Sequence, residues 1–397
     1  MFKEFNLNKA YQLLLIALAF LMPLTVFGAN LIIIIICFTW LFSRDYQTKY
    51  NKIISSPLLI SSIIFFALHV VGLLWTEDII WGLEIVHKMW YFFLLLPILF
   101  TIVESKYIKY YINAFLLAIF LTEVLSYLVW FEIIPIFKNA SISNPTPFMS
   151  HISYNPILVI AIYLVAHKVF IEKNLSKLNF FYSSFFLFSM TFNMFITGGR
   201  AGQVMFFAMV AILIFQVFSN QKIKALFLVF TVIPLIFFIA YTYSDIFSYR
   251  IDLAIKNFLN FSIEKSSSVS ERIVFAMNSW EIIQNHLLIG VGTGDFPEEY
   301  KKVNEANTPL FSNATNPHNM YSLILVQLGL VGLISMLTIF YYQINLSFLE
   351  SNQFYKNFGI ALPFLFLIIM MSDSYLLGHY TTLVYVFFSS FLYQKFE

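Results

Sequence analysis

Cysteine and charged residues are both scarce in this chain of 397 residues. The single cysteine, Cys37, excludes an intrachain disulfide and leaves the redox compartment open. Only 11% of the residues are charged, whereas 60% are hydrophobic and the mean hydropathy is +0.79. This composition is far from that of soluble globular proteins and predicts a polytopic membrane protein. The net charge of +2 gives no indication of nucleic-acid binding, and we expect none.

Hydrophobic runs of the length that crosses a bilayer as a helix, about 17–25 residues, recur along the whole chain. They predict an all-α fold of about twelve transmembrane helices. The first run follows Lys3 and Lys9 but has no small-residue cleavage site, so we interpret it as a retained helix rather than a signal peptide. The predicted spans are residues 11–27, 29–43, 57–75, 89–103, 108–131, 155–171, 180–197, 202–219, 223–243, 319–345, 357–373 and 379–394.

Basic residues are distributed unevenly between the predicted loops. With a cytoplasmic N-terminus, fourteen lie on the cytoplasmic side and only Lys88, Lys138 and Arg200 lie in short loops on the other side. Because Lys- and Arg-rich loops stay in the cytoplasm, both termini are predicted to be cytoplasmic in a bacterial inner membrane. The predicted regions are helices 1–9 in residues 1–243, a large periplasmic loop in residues 244–317, and helices 10–12 in residues 318–397.

The predicted periplasmic loop has a helical pattern. The segment "SERIVFAMNSWEIIQNHLLIG", with Ser270 as a candidate N-cap, predicts an amphipathic helix lying over the bundle or in the headgroup layer. A weaker helical stretch covers Tyr249 to Asn260. The glycine-rich "GVGTGDF" follows a helix rather than a strand, so it predicts a turn and not a dinucleotide site. The apolar positions at helical spacing are Ile273, Met277, Trp280 and Ile283.

Arg200 lies in the glycine-rich turn "FITGGRAGQ" between two predicted spans. Glycines let a ligand approach the backbone closely, and the exposed N–H groups at the start of the next helix favour an anion. A guanidinium beside them predicts a phosphate or pyrophosphate site. The alternative is an arginine that reaches for lipid headgroups.

Two further arginines lie in the predicted loop. Arg272 is predicted near a helix N-terminus, where a cation is unfavourable unless an anion or a carboxylate meets it. The alternative is an ion pair with Glu271 or Asp252, and Arg250 has the same two interpretations.

His318 in "TNPHNMYSLILVQLGLVGL" is the candidate general base. Asn316 is the candidate N-cap and Pro317 suits the first turn of the following helix, whose dipole favours a neutral imidazole at that end. A neutral imidazole can remove a proton from a sugar hydroxyl. The alternative is an incidental histidine at a helix boundary. His151 in "MSHISYNP" also precedes a span, and is either part of the same cavity or an interfacial polar residue.

The remaining polar candidates are the carboxylates Glu123 and Asp373, within or at the end of predicted spans. Intramembrane carboxylates are candidate functional groups by default. Glu123 suits either the proton pathway of a transporter or a polar contact between helices. The other histidines have no spacing that suits zinc, so we expect no metal and no cofactor.

Three segments taken in order, "TGGRAGQ", "SERIVFAMNSWEIIQNHLLIGVGTGDF" and "NPHNMYSLILVQLGLVGL", resemble the O-antigen ligase and polymerase superfamily. The resemblance implies a membrane-embedded, metal-independent glycosyltransferase of the GT-C type. It implies transfer of a glycan from an undecaprenyl pyrophosphate carrier to lipid A-core or another glycan acceptor on the periplasmic side. It also implies that Arg200 and Arg272 hold the pyrophosphate and that His318 activates the acceptor.

Ligase activity is the leading hypothesis, and a polymerase, which differs only in its acceptor, is the alternative. A transporter of lipid-linked oligosaccharides is the third hypothesis, since twelve spans and Glu123 allow it. Transporters usually have repeated halves and interrupted helices, and the sequence indicates neither. Sugar identity, acceptor and oligomeric state are not readable from these residues.

Overall fold

The computed structural model describes residues 7–138, 140–172, 175–260 and 267–396; Lys3 lies outside them. Within these ranges the chain is built of helices and their connections, and the only β-bridge pairs Ser141 with Asn144. The α-helices, numbered in chain order, are α1 Leu7–Leu21, α2 Val26–Phe42, α3 Tyr46–Ile54, α4 Pro57–Val71, α5 Ile79–Trp90, α6 Leu96–Ile102, α7 Ile108–Trp130, α8 His151–Phe170, α9 Lys177–Phe195, α10 Arg200–Val217, α11 Lys222–Tyr243, α12 Asp245–Leu259, α13 Ser268–Asn285, α14 Phe296–Asn307, α15 Met320–Phe348, α16 Gln353–Ile369 and α17 His379–Leu392.

Each predicted span overlaps a helix, and the prediction of an all-α polytopic membrane protein is confirmed. Among the described residues, seven helical segments are long and apolar enough to cross a membrane, or eight if the bent pair α2 and α3 is one span. Helices α1 and α16 are apolar but shorter than these segments. Helices α9 and α17 belong neither to the long apolar helices nor to these short ones. The number twelve therefore stays a prediction.

The fourth predicted span begins ten residues too late. A π-helical turn at Tyr91–Leu95 joins α5 to α6, so the helical segment runs from Ile79 to Ile102. Glu84 and Lys88 lower the hydropathy of its first turns, so the hydropathy pattern did not predict these turns as part of the span. Lys88 accordingly lies in a helix, and its predicted place in a short outside loop is wrong.

Helices α8 and α17 form the centre of the bundle. In the most apolar 18-residue stretch of α8, 78% of the residues are buried, compared with 11% in that of α11. Helix α11 therefore lies at the periphery, with its Phe and Ile side chains facing outward. In α17, all residues from Thr381 to Leu392 are buried. Phe388 on α17 packs edge-on against Phe115 of α7 and Phe358 of α16, which ties three helices together.

The segment between α11 and α15 carries three helices. Helix α12 covers the weakly predicted stretch and begins after Ser244, whose hydroxyl accepts a hydrogen bond from the N–H of Phe247. Helix α13 begins after Ser267, so the prediction of Ser270 as N-cap is wrong. Ser267 and Ser270 instead cap each other in a capping box. Helix α14 was not predicted because its sequence, "FPEEYKKVNEAN", is polar on most faces.

The buried face of α13 differs from the predicted one. Met277 and Trp280 are exposed, whereas Ile283 is buried as predicted, together with Val274, Phe275 and Ile282. The register is set by a buried polar network, in which the Asn278 side-chain amide donates to Thr308 Oγ1 at 2.8 Å and also bonds Asn304 and Tyr300. A hydropathy pattern alone does not predict that an asparagine lies on the buried face of α13.

Helix α15 is interrupted at Gly329, which has φ +60° and ψ −157°. The sequence indicated no interrupted helix, and the structure differs at this span. The chain's own loop fills the break, because its backbone groups bond those that the break frees. The N–H groups of Val291 and Gly292 donate to the carbonyls of Val326 and Gln327, and the N–H groups of Leu330 and Val331 donate to the carbonyls of Leu287 and Leu288.

We expect Gly329→Ala to lower the unfolding temperature of the purified protein. The φ and ψ of Gly329 lie in a region that is essentially restricted to glycine and costs other residues about 1–3 kcal/mol. A Cβ there would also lie 2.3 Å from the backbone carbon of Leu288. The control is Gly378→Ala, where φ is −79° and the new Cβ would come close to no backbone atom but only to the Thr381 side-chain hydroxyl, at 2.9 Å. Equal unfolding temperatures for the two variants would contradict the strain at Gly329.

Candidate functional site

The turn before α10 is held by asparagine side chains. The Gly198 N–H donates to Asn144 Oδ1 at 2.9 Å. Asn155 accepts from Thr197 Oγ1 at 2.8 Å and donates to the Gly199 carbonyl at 3.2 Å. A Cβ on Gly202 would lie 2.2 Å from the Asn155 Cβ, so this glycine is required for the close packing of α10 on α8. The backbone that carries Arg200, the first residue of α10, is therefore fixed.

Three of the four arginines in the chain converge at this turn. Arg200 Nη2 donates to Ser268 Oγ at 3.2 Å, and Ser268 begins the helix that carries Arg272. A Cβ on Gly198 would lie 3.2 Å from Arg250 Nη2, so that guanidinium packs against the glycine turn. The positive charges of Arg272 and Arg250 both act on the Arg200 guanidinium.

Within the described ranges, none of the salt bridges involves Arg200, Arg250 or Arg272. Asp252, one of the two candidate partners from the sequence, accepts a hydrogen bond from the Tyr241 hydroxyl at 2.7 Å. Three guanidinium groups at one place repel one another unless an anion lies between them, and guanidinium is the side chain best suited to bind phosphate oxygens. The cluster is thus a candidate anion site.

His318 lies in the turn before α15, with φ +51°. The helix begins at Met320, and its N-cap is Asn319, whose side chain accepts from the N–H groups of Tyr321 and Ser322. The predictions of Asn316 as N-cap and of Pro317 in the first turn are therefore wrong. The Asn316 side-chain oxygen instead accepts from the His318 N–H and from the Ser374 hydroxyl, both at 2.9 Å.

Asp373, in the connection after α16, orients the His318 ring. His318 Nδ1 lies 3.2 Å from Asp373 Oδ1. Burial alone would raise the pKa of Asp373, but hydrogen bonds from His318 and the Ser374 N–H, with the charge of Arg272, hold the pKa of that carboxyl below its usual value. An ionised carboxylate accepts from Nδ1–H, which leaves Nε2 of a neutral imidazole as a proton acceptor.

His318 and Arg272 line one polar cavity of about 440 Å³. Phe275 forms part of its wall and stacks on the imidazole with ring centroids 5.8 Å apart. Hydroxyl and amide groups supply much of the remaining surface, as a site for a sugar requires. The other lining residues are Ser268, Glu271, Ser312, Asn313, Ala314, Thr315 and Asn316.

His151 and Glu123 occupy different positions. His151 begins α8, and its carbonyl oxygen would lie 2.9 Å from a Cβ on Gly199, so it flanks the glycine turn. The charge of Arg250 acts on its ring. Glu123 on α7 instead accepts a hydrogen bond from Ser189 of α9 and forms a contact between helices away from the cavity.

The sequence reasoning missed the pairing of Asp373 with His318. Asp373 was noted only as an isolated carboxylate, because 55 residues separate it from His318. The contact depends on the packing of α15 against α16, where the Met320 N–H donates to the Met370 carbonyl at 2.9 Å. In the described part of the chain, no group of three His, Cys, Asp or Glu residues is arranged to hold a metal ion.

One family model matches the chain, and its description is O-antigen ligase. The match covers residues 185–337, from α9 to α15, and contains Arg200, Arg250, Arg272 and His318. His151 and Asp373 lie outside the matched range. No curated protein matches the chain.

Proposed function

We propose, on the premise that residues 185–337 match the family model described as O-antigen ligase, that this protein is a membrane glycosyltransferase that moves a glycan from undecaprenyl pyrophosphate to lipid A-core or a related acceptor. The reaction takes place on the periplasmic face of the inner membrane. The observation that carries the proposal is the convergence of Arg200, Arg250 and Arg272 beside a cavity that His318 lines, with Asp373 in contact with the His318 ring.

The arginine cluster binds the pyrophosphate of the donor. When the bond between the anomeric carbon and the phosphate oxygen breaks, negative charge develops on that oxygen. Guanidinium groups that are already in place stabilise this charge without reorganisation, which is the usual source of large electrostatic rate effects. His151, beside Arg250, helps to bind the donor at the same end of the site.

The His318–Asp373 pair activates the acceptor. Nε2 of His318 removes the proton of the acceptor hydroxyl while the hydroxyl oxygen attacks the anomeric carbon. Asp373 stabilises the resulting imidazolium through Nδ1–H. The attack comes from the face opposite to the leaving pyrophosphate, so the anomeric configuration inverts. The lipid carrier holds an activated sugar, and the proposed reaction needs no nucleotide.

Reconstitution tests this function directly. Purified protein in liposomes, supplied with an undecaprenyl-pyrophosphate-linked glycan and lipid A-core but with neither metal nor nucleotide, is expected to form glycosylated lipid A-core. Product analysis by electrophoresis and mass spectrometry gives the acceptor, and analysis of the new linkage gives its stereochemistry. A strict requirement for a metal ion or a retained configuration would contradict the mechanism.

Polymerase activity is the second candidate, and the charge of the loop favours it. Residues 244–317 contain nine acidic and six basic side chains, which is not the surface that an anionic lipid A-core would select. Gene deletion separates the two functions. Loss of a ligase leaves full-length chains on the lipid carrier, whereas loss of a polymerase leaves single repeats on the outer lipid.

A further inference from the structure

The loop that fills the break in α15 presents an apolar tip to the outside. Its side chains Leu287, Leu288 and Ile289 are 45%, 67% and 56% exposed. None of them lines the cavity around His318. Three consecutive exposed aliphatic residues are unfavourable in water and mark a surface that something apolar covers.

The tip is fixed at one end of a membrane-spanning half-helix. The N–H groups of Leu330 and Val331, in the first turn after the break, donate to the carbonyls of Leu287 and Leu288 at 2.9 and 3.3 Å. From Leu330 to Phe348 the helix measures about 28 Å at the α-helical rise. This is close to the roughly 30 Å thickness of the hydrocarbon core of a bilayer. The tip therefore lies level with one edge of that core.

The surfaces beside the tip are apolar as well. On α15, Val331, Ile334 and Tyr341 are exposed along one face and continue from the tip toward the other leaflet. Further along the same loop, the Thr293 N–H donates to the Gly72 carbonyl at 3.4 Å, and Leu74, two residues after Gly72, is 84% exposed. The tip is thus continuous with a face that lipid covers on any membrane-spanning helix.

We propose that Leu287, Leu288 and Ile289 form an interfacial anchor, inserted at the boundary of headgroups and acyl chains in the leaflet on the His318 side. The tip has no charged side chain, as insertion into lipid requires. The anchor holds the far end of α13, whose near end contacts Arg200 through Ser268. The bilayer thereby sets the height of Arg272 and Phe275 relative to the lipid headgroups.

Spin labelling at single cysteines tests the anchor in the whole protein. In a Cys37→Ala background, Leu288→Cys is labelled with a nitroxide and the protein is reconstituted in phosphatidylethanolamine–phosphatidylglycerol liposomes. Ile334→Cys on the exposed face of α15 is the lipid control, and Lys301→Cys on α14 is the aqueous control. We expect oxygen to relax the label at Leu288 more than a water-soluble nickel chelate does, as at Ile334 and unlike Lys301.

Two outcomes would overturn the proposal. Strong relaxation by the nickel chelate, as at Lys301, would place the tip in water. Protection from both oxygen and nickel would mean that protein, such as a second copy of this chain, covers it. Ile289→Cys is measured in parallel, so that the test survives misfolding of one variant. The measurement does not depend on glycan transfer, because the proposal requires only that α15 spans the membrane.

Discussion

His318→Ala is expected to abolish glycan transfer while leaving membrane insertion and yield unchanged. A general base contributes about 10²–10⁴-fold to a rate, so the initial rate in the reconstituted reaction should fall by that factor. The side chain is 44% exposed in the cavity, and the substitution removes little buried surface. The variant should therefore elute from size-exclusion chromatography like the wild-type protein.

His286→Ala is the matched control for this prediction. His286 is an exposed histidine that caps the end of α13, and it does not line the cavity. The variant should retain the wild-type rate. Asp373→Asn should lower the rate less than His318→Ala, since the amide no longer enforces the Nδ1–H tautomer but the base is still present. Wild-type transfer by His318→Ala would remove the general base from the mechanism.

The helical fold could be predicted from the sequence because apolar runs of bilayer length recur along the chain. The number of spans stays a prediction. Residues 379–394 were predicted as a span, and the helix found there, α17, has 14 residues, is almost wholly buried and contains Thr381, Thr382, Ser389 and Ser390, which lower its hydropathy. Their hydroxyls bond within the protein, as when Ser390 donates to the Phe387 carbonyl at 2.7 Å. A hydropathy scale counts such residues as polar although their hydrogen bonds are satisfied.

The candidate site was predicted residue by residue but not as an arrangement. Arg200 and His318 stand out locally, since glycines and a proline mark the turns that carry them. Their common site depends on α13, which starts beside Arg200 and packs Phe275 on His318. Asp373 reaches His318 only because of the way the helices pack, and no local sequence pattern predicts that contact.

The break in α15 could not be predicted from the sequence either. Gly329 lies in an apolar run, where a glycine is ordinary in a membrane helix. Its partner Gly290, with φ +69°, lies in the loop after α13, and a Cβ there would lie 2.4 Å from the Gln327 carbonyl. Each glycine lies against the backbone just before the other, Gly290 against Gln327 and Gly329 against Leu288, so the loop can dock closely.

Arg200→Lys is expected to impair transfer severely even though the charge is kept. Lysine offers a point charge, whereas the planar guanidinium can bond two phosphate oxygens at once. The substitution also removes the Nη2 group that bonds Ser268 and so loosens the start of α13. Loss of one well-placed donor to a developing oxyanion costs about 10²–10³-fold, and we expect kcat/KM for the lipid-linked donor to fall by that order.

Arg44→Lys is the matched control, because Arg44 is exposed in the connection between α2 and α3 and takes no part in the arginine cluster. It should leave kcat/KM unchanged. Arg272→Lys should resemble Arg200→Lys, and the double variant should lose less than the product of the two effects, since both groups act on one anion. If Arg200→Lys were as active as Arg44→Lys, the proposed bidentate contact of the Arg200 guanidinium with the pyrophosphate would be excluded.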